Sequence, residues 1–239
     1  MTRTAPRMVI TGASRGIGRA IALEFARHGA RIVICARRQA PLEEVTQEIQ
    51  RAGGEAVPVV SDVSTDHGAR LLAIAVERNF EGELDVLVNN AGHFRAVPML
   101  ETSLESDFHA LLAANLTAVV LPTLRLLPSL LRSPRPHVLN ILSIAALRGF
   151  PWNTGYGSAK WGARGFTEVL RAEFGDRVRV TGIYPGAVDT DAWVGAPFPH
   201  DRKKMLRPEQ VAAAVAQAWE AKSAPESVVL ETPPGAVGG

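Results

Sequence analysis

Tyr156 and Lys160 stand four residues apart in Tyr156-Gly157-Ser158-Ala159-Lys160, at the head of a helical pattern that runs to about Phe174. Positions four apart share a helix face, so a phenol and an ammonium project side by side. A neighbouring positive charge favours phenolate over phenol, which makes Tyr156 a proton acceptor and a poised acid near neutral pH. Ser143 precedes the tyrosine by thirteen residues, directly after an apolar run, where its hydroxyl can hold a substrate oxygen. Asn115 lies inside a helical pattern, although asparagine competes for backbone bonds and is a mediocre helix former. A Tyr–Lys pair at this spacing also occurs on ordinary surface helices, so the pair alone does not specify chemistry.

A second group lies near the N-terminus. The first apolar run leads into Thr11-Gly12-Ala13-Ser14-Arg15-Gly16-Ile17-Gly18, and a helical pattern follows at once. Glycines there let the backbone turn sharply and approach a pyrophosphate, while the helix start presents free N–H groups and a positive dipole end. The plainer alternative is a structural strand-to-helix turn. In the NAD-binding form of this unit an acidic residue about 20 positions on holds the ribose 2′-hydroxyl. Here the second run ends Ile34-Cys35-Ala36-Arg37-Arg38 without a carboxylate. A guanidinium grips a 2′-phosphate that an acid would repel, so Arg37 and Arg38 point to NADP, with Arg15 able to reach the same phosphate. Solvated loop charges are the alternative for these arginines. Asp62-Val63 after the third run can meet an adenine edge, and Asn89-Asn90-Ala91-Gly92 after the fourth can brace the sheet and the ribose. Both fit local turn chemistry equally well.

Seven short β-branched or apolar runs position these groups: Met8 to Thr11, Arg31 to Ala36, Ala56 to Ser61, Leu84 to Asn89, His137 to Leu142, Val178 to Tyr184 and Ser227 to Leu230. Helical patterns separate them, which reads as an α/β fold, a Rossmann-type doubly wound parallel sheet of about seven strands with helices on both faces. One domain over 1–239 is expected, with a cofactor-binding part at about 7–142, a catalytic and substrate part at about 143–231 and a lid at about 189–206. Pro122 and Pro128 interrupt the pattern from Leu104 to Leu131, which predicts a kink at the first and an early end near the second. The segment after Thr190 is short for a lid, which suggests an open pocket. The Pro/Gly-rich tail from Thr232 to Gly239 is expected to lack regular structure.

The 239 residues, 46% of them apolar, suffice for a full core. A net charge of +2 with scattered basic residues argues against nucleic-acid binding. No metal-ligand cluster stands out. The single cysteine, Cys35, asks for no oxidising compartment, and neither a signal peptide nor an apolar run of about 20 residues is evident, so a cytoplasmic location away from membranes is expected.

Taken together, the motifs resemble the short-chain dehydrogenase/reductase family over nearly the whole length. Thr11 to Gly18 is similar to its cofactor motif, Asn89 to Gly92 to its central Asn-Asn-Ala-Gly, and Asn115, Ser143, Tyr156 and Lys160 to its catalytic tetrad. Tyr184 to Thr190 is similar to its Pro-Gly segment, although Tyr184 stands where a smaller residue is usual. The resemblance implies that Pro185, Gly186, Val188 and Thr190 lie at the cofactor, with Val188 and Thr190 on the nicotinamide carboxamide. It implies that Lys160 holds the ribose hydroxyls and connects through water toward Asn115, and that Arg15 and Arg37 mark the NADP-preferring subgroup. Hydride transfer between NADP(H) and a small-molecule carbonyl or alcohol, with Tyr156 as acid/base, is the implied activity. A 3-oxoacyl-(acyl-carrier-protein) reductase and a non-catalytic NADP-binding scaffold are the alternatives.

His93, Phe94, Ile144, Arg148, Phe150, Trp152, Trp193 and Phe198 flank the motif positions and form an aromatic, apolar candidate pocket, as small-molecule sites usually do. Ordinary core packing is the alternative for each ring. A homodimer or homotetramer is further implied, with Ser158, Ala159, Gly162, Ala163 and Gly165 admitting a partner helix and Trp161, Phe166 and Leu170 adding apolar area.

Overall fold

The computed structural model describes residues 5–237. Seven runs form strands: β1 (Arg7–Thr11), β2 (Arg31–Ala36), β3 (Glu55–Val60), β4 (Val86–Asn89), β5 (His137–Ile141), β6 (Arg179–Pro185) and β7 (Ser227–Leu230). All neighbouring strands are parallel and the order is β3-β2-β1-β4-β5-β6-β7. The strand order reverses beside β1, between β2 and β4, and a crevice opens at the carboxyl ends of the strands there.

Side chains alternate across a strand, and here both faces are covered. Met8, Ile10, Ile32 and Ile34 pack against α1 (Gly16–Ala26), α2 (Gln39–Arg51) and α7 (Pro208–Glu220) through Ile21, Phe25, Ile49 and Val215. Val9, Val33 and Leu87 pack against α3 (Asp66–Phe80), α5 (Ala118–Leu130) and α6 (Thr154–Phe174) through Leu72, Val76, Leu126 and Leu170. Each fully buried side chain of this size contributes roughly 1.5–3 kcal/mol.

The α5 helix ends just beyond Pro128, as the sequence led one to expect. Helix α5 passes through Pro122 and Pro128 and ends at Leu130. The irregular turns come earlier, as π-helical segments at Leu104–His109 and Ala113–Thr117 around the short α4 (Ala110–Leu112). Leu124, whose carbonyl loses its helical donor to Pro128, is on the exposed side of the helix. Leu104–Leu130 as a whole is long and apolar enough to cross a membrane by length and composition, contrary to the expectation that no stretch reaches that length. In this fold it packs on α3, α6 and β4.

The tail lacks regular structure through Val237, yet it is docked. Asp201 N–H donates to the Ala236 carbonyl at 2.8 Å, His200 bridges to Val237, and Ala236 is buried with Ala187 and Met205. Gly238 and Gly239 lie outside the described residues, as do Met1 to Thr4.

Candidate active site

The glycine loop and the turn after β4 form one unit. Thr11 Oγ1 accepts from the backbone N–H of Asn90 and of Ala91, both at 3.0 Å, and Asn90 Nδ2 donates to the carbonyls of Thr11 at 2.9 Å and Gly12 at 3.0 Å. Gly12 has φ +64°, and a Cβ there would stand 2.8 Å from Ala91 Cα, so only glycine fits. Gly16 has φ +55° and faces Thr190, while a Cβ on Gly18 would run into the Asn90 amide and the Gly12 carbonyl. Arg15, the residue before α1, makes no side-chain cap, so the first N–H groups of that helix keep their capacity for an anion.

Ser14, Arg15, Gly16, Ile17, Arg37, Arg38, Asp62, Val63, Ala91, Gly92, Asn115, Tyr156, Lys160 and Thr190 all line one crevice of about 1230 Å³ with the glycine loop. Arg37 and Arg38 are exposed at the end of β2, and no carboxylate pairs with either among the described residues. Arg15 meets Asp191 of the lid at 3.3 Å, an exposed pair. Asp62 accepts from the backbone and hydroxyl of Ser64 at 3.0 and 2.7 Å, and these bonds, with the Arg37 charge, hold its carboxyl below the usual range against the opposing effect of burial.

Asn89 does not face the crevice. It is wholly buried, donating to Thr123 Oγ1 at 2.9 Å and to Asn140 Oδ1 at 2.8 Å, while Asn140 donates to Thr167 Oγ1 at 2.8 Å. This network ties β4 and β5 to α5 and α6, so Asn89 braces the sheet. Pro185 and Val188 are buried at the end of β6, and Gly186 admits the Thr232 hydroxyl, which a Cβ would displace.

Lys160 and Tyr156 lie on one face of α6, with Nζ 5.7 Å from the phenol ring centre. Lys160 donates to the Ile141 carbonyl at 3.0 Å, and burial pulls its ammonium down to about 8. Burial pushes the Tyr156 phenol up, with the Ser143 hydroxyl beside it acting the other way. Burial is thus the larger influence on the phenol, and the expected pull of Lys160 toward phenolate is not among the causes of its shift. Ser143 Oγ also accepts from Ala145 N–H at 3.1 Å, which orients it at the head of a short 3-10 turn over Ile144–Ala146. Asn115 sits in the second π turn, donates to the carbonyls of His93 at 2.7 Å and Leu111 at 3.1 Å, and accepts from His93 N–H at 3.2 Å. It fixes the loop that carries His93 and Phe94.

The candidate pocket residues divide. His93 and Phe94 line the crevice beside Tyr156, and Phe94 stands edge-on to the tyrosine ring at 5.0 Å. Trp193 reaches Phe94 at 5.2 Å from the lid. Phe150 and Trp152 line a separate groove of about 550 Å³ with Met99 and Trp161. Trp152 has φ +62°, an uncommon conformation for its type, held by its carbonyl accepting from Val97 N–H at 2.7 Å. Its ring stacks on Phe198 at 5.6 Å. Arg148 lies over the Phe150 ring, and Ile144 is half-buried on the 3-10 turn. Burial, then the charges of Arg37, Arg15 and Arg95, lowers the His93 imidazole below its ordinary value.

Thr11, Asn140 and the Ile141 carbonyl are structural partners of this site that sequence reasoning passed over. A polar residue inside an apolar strand, as in His137-Val138-Leu139-Asn140-Ile141, was the available signal, because a buried amide must find partners. A backbone carbonyl leaves no such trace.

Comparison with known proteins agrees with this geometry. The short chain dehydrogenase family profile matches residues 6–197. A sepiapterin reductase of Chlorobaculum tepidum is 33% identical over 233 residues, 93% of this chain and 94% of that one. A 3-oxoacyl-(acyl-carrier-protein) reductase of Synechocystis is 37% identical over 191 residues, 79% of this chain and 76% of that one. The structure of an alcohol dehydrogenase from Thermococcus sibiricus, complexed with 5-hydroxy-NADP, superposes with a TM-score of 0.86 at 33% identity, covering 96% of this chain and 97% of that one. The chain is therefore an oxidoreductase that belongs to the short-chain dehydrogenase/reductase family.

Proposed function

We propose that this enzyme uses NADP(H) to interconvert a carbonyl and an alcohol on a small molecule, with Tyr156 as the acid/base. One observation carries the reading: a single crevice holds Tyr156 and Lys160 at one end and the uncapped start of α1 with exposed Arg37 and Arg38 at the other. Gly12 and Gly18 let the loop close against Asn90 and Ala91 where no Cβ would fit, and Gly12 and Gly16 line the crevice at the start of α1, where a pyrophosphate would meet free N–H groups. Arg37 and Arg38 supply the charge for a 2′-phosphate. Ser14, Ile17, Asp62, Val63, Ala91, Gly92, Pro185, Gly186, Val188 and Thr190 complete the cofactor walls, and Asn89 acts from behind by holding the sheet. The complex of the Thermococcus relative supports the same cofactor.

Bound NADPH supplies the hydride. The chain's own part is to hold the carbonyl oxygen with the Ser143 hydroxyl and to give that oxygen the Tyr156 proton. Lys160, fixed on Ile141, orients the ribose side and keeps a positive charge beside the phenol. Asn115 sets the loop over the substrate. The lone buried thiol, Cys35, accords with a reducing, cytoplasmic setting.

The test pairs NADPH binding by fluorescence with single-turnover reduction of a carbonyl panel, for wild type and Tyr156→Phe. Binding is expected to survive while turnover falls roughly a hundredfold to ten-thousandfold. Reduction at the wild-type rate by the variant refutes the assignment.

A further inference from the structure

We propose that Phe94 and Trp193 form an aromatic recognition site that selects carbonyl substrates carrying a flat aryl group within a bond or two of the carbonyl carbon. This rests on the reading of Tyr156 as proton donor, because the rings are placed by reference to that phenol.

Phe94 stands at the wall of the crevice, its ring perpendicular to that of Tyr156 at 87° and 5.0 Å away. Trp193 meets Phe94 with centroids 5.2 Å apart and planes tilted by 43°. These two rings come from different parts of the chain, the turn after β4 and the lid: Phe94 stands against the phenol and Trp193 stands against Phe94. The indole is fixed: Nε1 donates to the Val188 carbonyl at 2.9 Å, so its polar edge is satisfied and its faces remain apolar. Phe198 and His200 back it at 6.1 and 5.7 Å.

Charge at this end is compensated. Arg95 pairs with Asp107 at 2.6 Å, Arg202 with Asp189 at 2.5 Å and Arg15 with Asp191 at 3.3 Å. Arg148 lies over Phe150, away from the phenol. A carboxylate or phosphate on the substrate would have to break one of these pairs, whereas a flat apolar group loses nothing. Rings prefer edge-to-face or offset contacts at 4.5–7 Å, and Phe94 and Trp193 already touch. A substrate ring therefore packs against their free faces and extends the cluster, which leaves its side-chain carbonyl at the Tyr156 hydroxyl. An aliphatic ring of the same size gains area burial but not the quadrupolar contact.

The probes are phenylacetone and cyclohexylacetone, which present the same ketone on a flat or a puckered ring. NADPH consumption is followed for wild type, Phe94→Leu and Trp193→Leu, with NADPH binding as the check that each variant is folded. Wild type is expected to favour phenylacetone in kcat/KM by about tenfold, and each variant to lower that ratio several-fold while binding NADPH normally. Equal use of the two ketones by wild type overturns the proposal. So does an unchanged ratio in both variants, or a stronger preference for a 3-oxoacyl thioester. Aryl selection can fail in these ways while carbonyl reduction stands. Absence of NADPH consumption with every carbonyl overturns the proposed reaction as well, which separates the two failures.

Discussion

Lys160 donates to the carbonyl of Ile141 at 3.0 Å, a bond between the helix that carries the phenol and the strand that ends beside it. Among the described residues no carboxylate pairs with this ammonium, so burial alone sets its behaviour, pulling it down to about 8. In the unfolded chain a lysine titrates near 10.4. Between those values the unfolded state binds more protons, and stability rises with pH. The cost of burying the charged form is fully present below about 8 and is relieved above it. Wild type should gain about 2 kcal/mol relative to Lys160→Met between roughly pH 7 and pH 10. Urea unfolding of both proteins across that range measures it, and parallel stability curves would contradict it.

Replacing Arg37 with Asp should reverse a preference for NADPH over NADH. Charge-assisted bonds contribute roughly 1.5–3 kcal/mol, so NADPH affinity should fall tenfold or more, with NADH affinity little changed. Titrations of both cofactors by fluorescence decide it. Equal affinity of wild type for the two would remove the basis for assigning Arg37 and Arg38 to a phosphate.

The lid depends on the tail. Thr232 Oγ1 accepts from Ala187 N–H, and its hydroxyl fills the space that Gly186 leaves. Thr232→Val keeps the shape and removes the acceptor, at a cost of about 1–3 kcal/mol for the buried donor left behind. Faster proteolysis near Gly195, with NADPH binding retained, is the expected result. Cleavage at the wild-type rate would mean that the lid stands without the strap.

Assembly should use only the outward part of the set expected on α6, with Val169 added. Ala159, Ala163 and Leu170 are buried within the subunit, and the side of Gly162 faces Leu116. The outward stripe is Ser158, Trp161, Gly165 and Val169, with Trp161 47% and Val169 62% exposed. An apolar stripe of this kind on a helix, with open space over Gly165, suits a symmetric partner. Light scattering at micromolar concentration should give a dimer or tetramer, and Trp161→Glu should shift it toward monomer. A monomeric wild type would refute the assignment.

What the sequence determined by itself was everything written in local periodicity and short spacing. The seven strand runs matched the observed strands to within one or two residues because the five inner strands, buried on both faces, need short and almost wholly apolar runs, while the half-exposed edge strands β3 and β7 keep β-branched residues. The glycine loop was legible because a positive φ and a close backbone approach restrict residue type at Gly12 and Gly16. Tyr156 and Lys160 were legible because four residues make about one helical turn. Tertiary structure decided what depends on residues far apart in the chain. It turned Asn89 inward to Thr123 and Asn140, sent Phe150 and Trp152 to a separate groove, and let the helix run through Pro122 and Pro128. It also set the surroundings of Tyr156, whose phenol burial pushes up, because no local pattern records how much water a folded chain excludes.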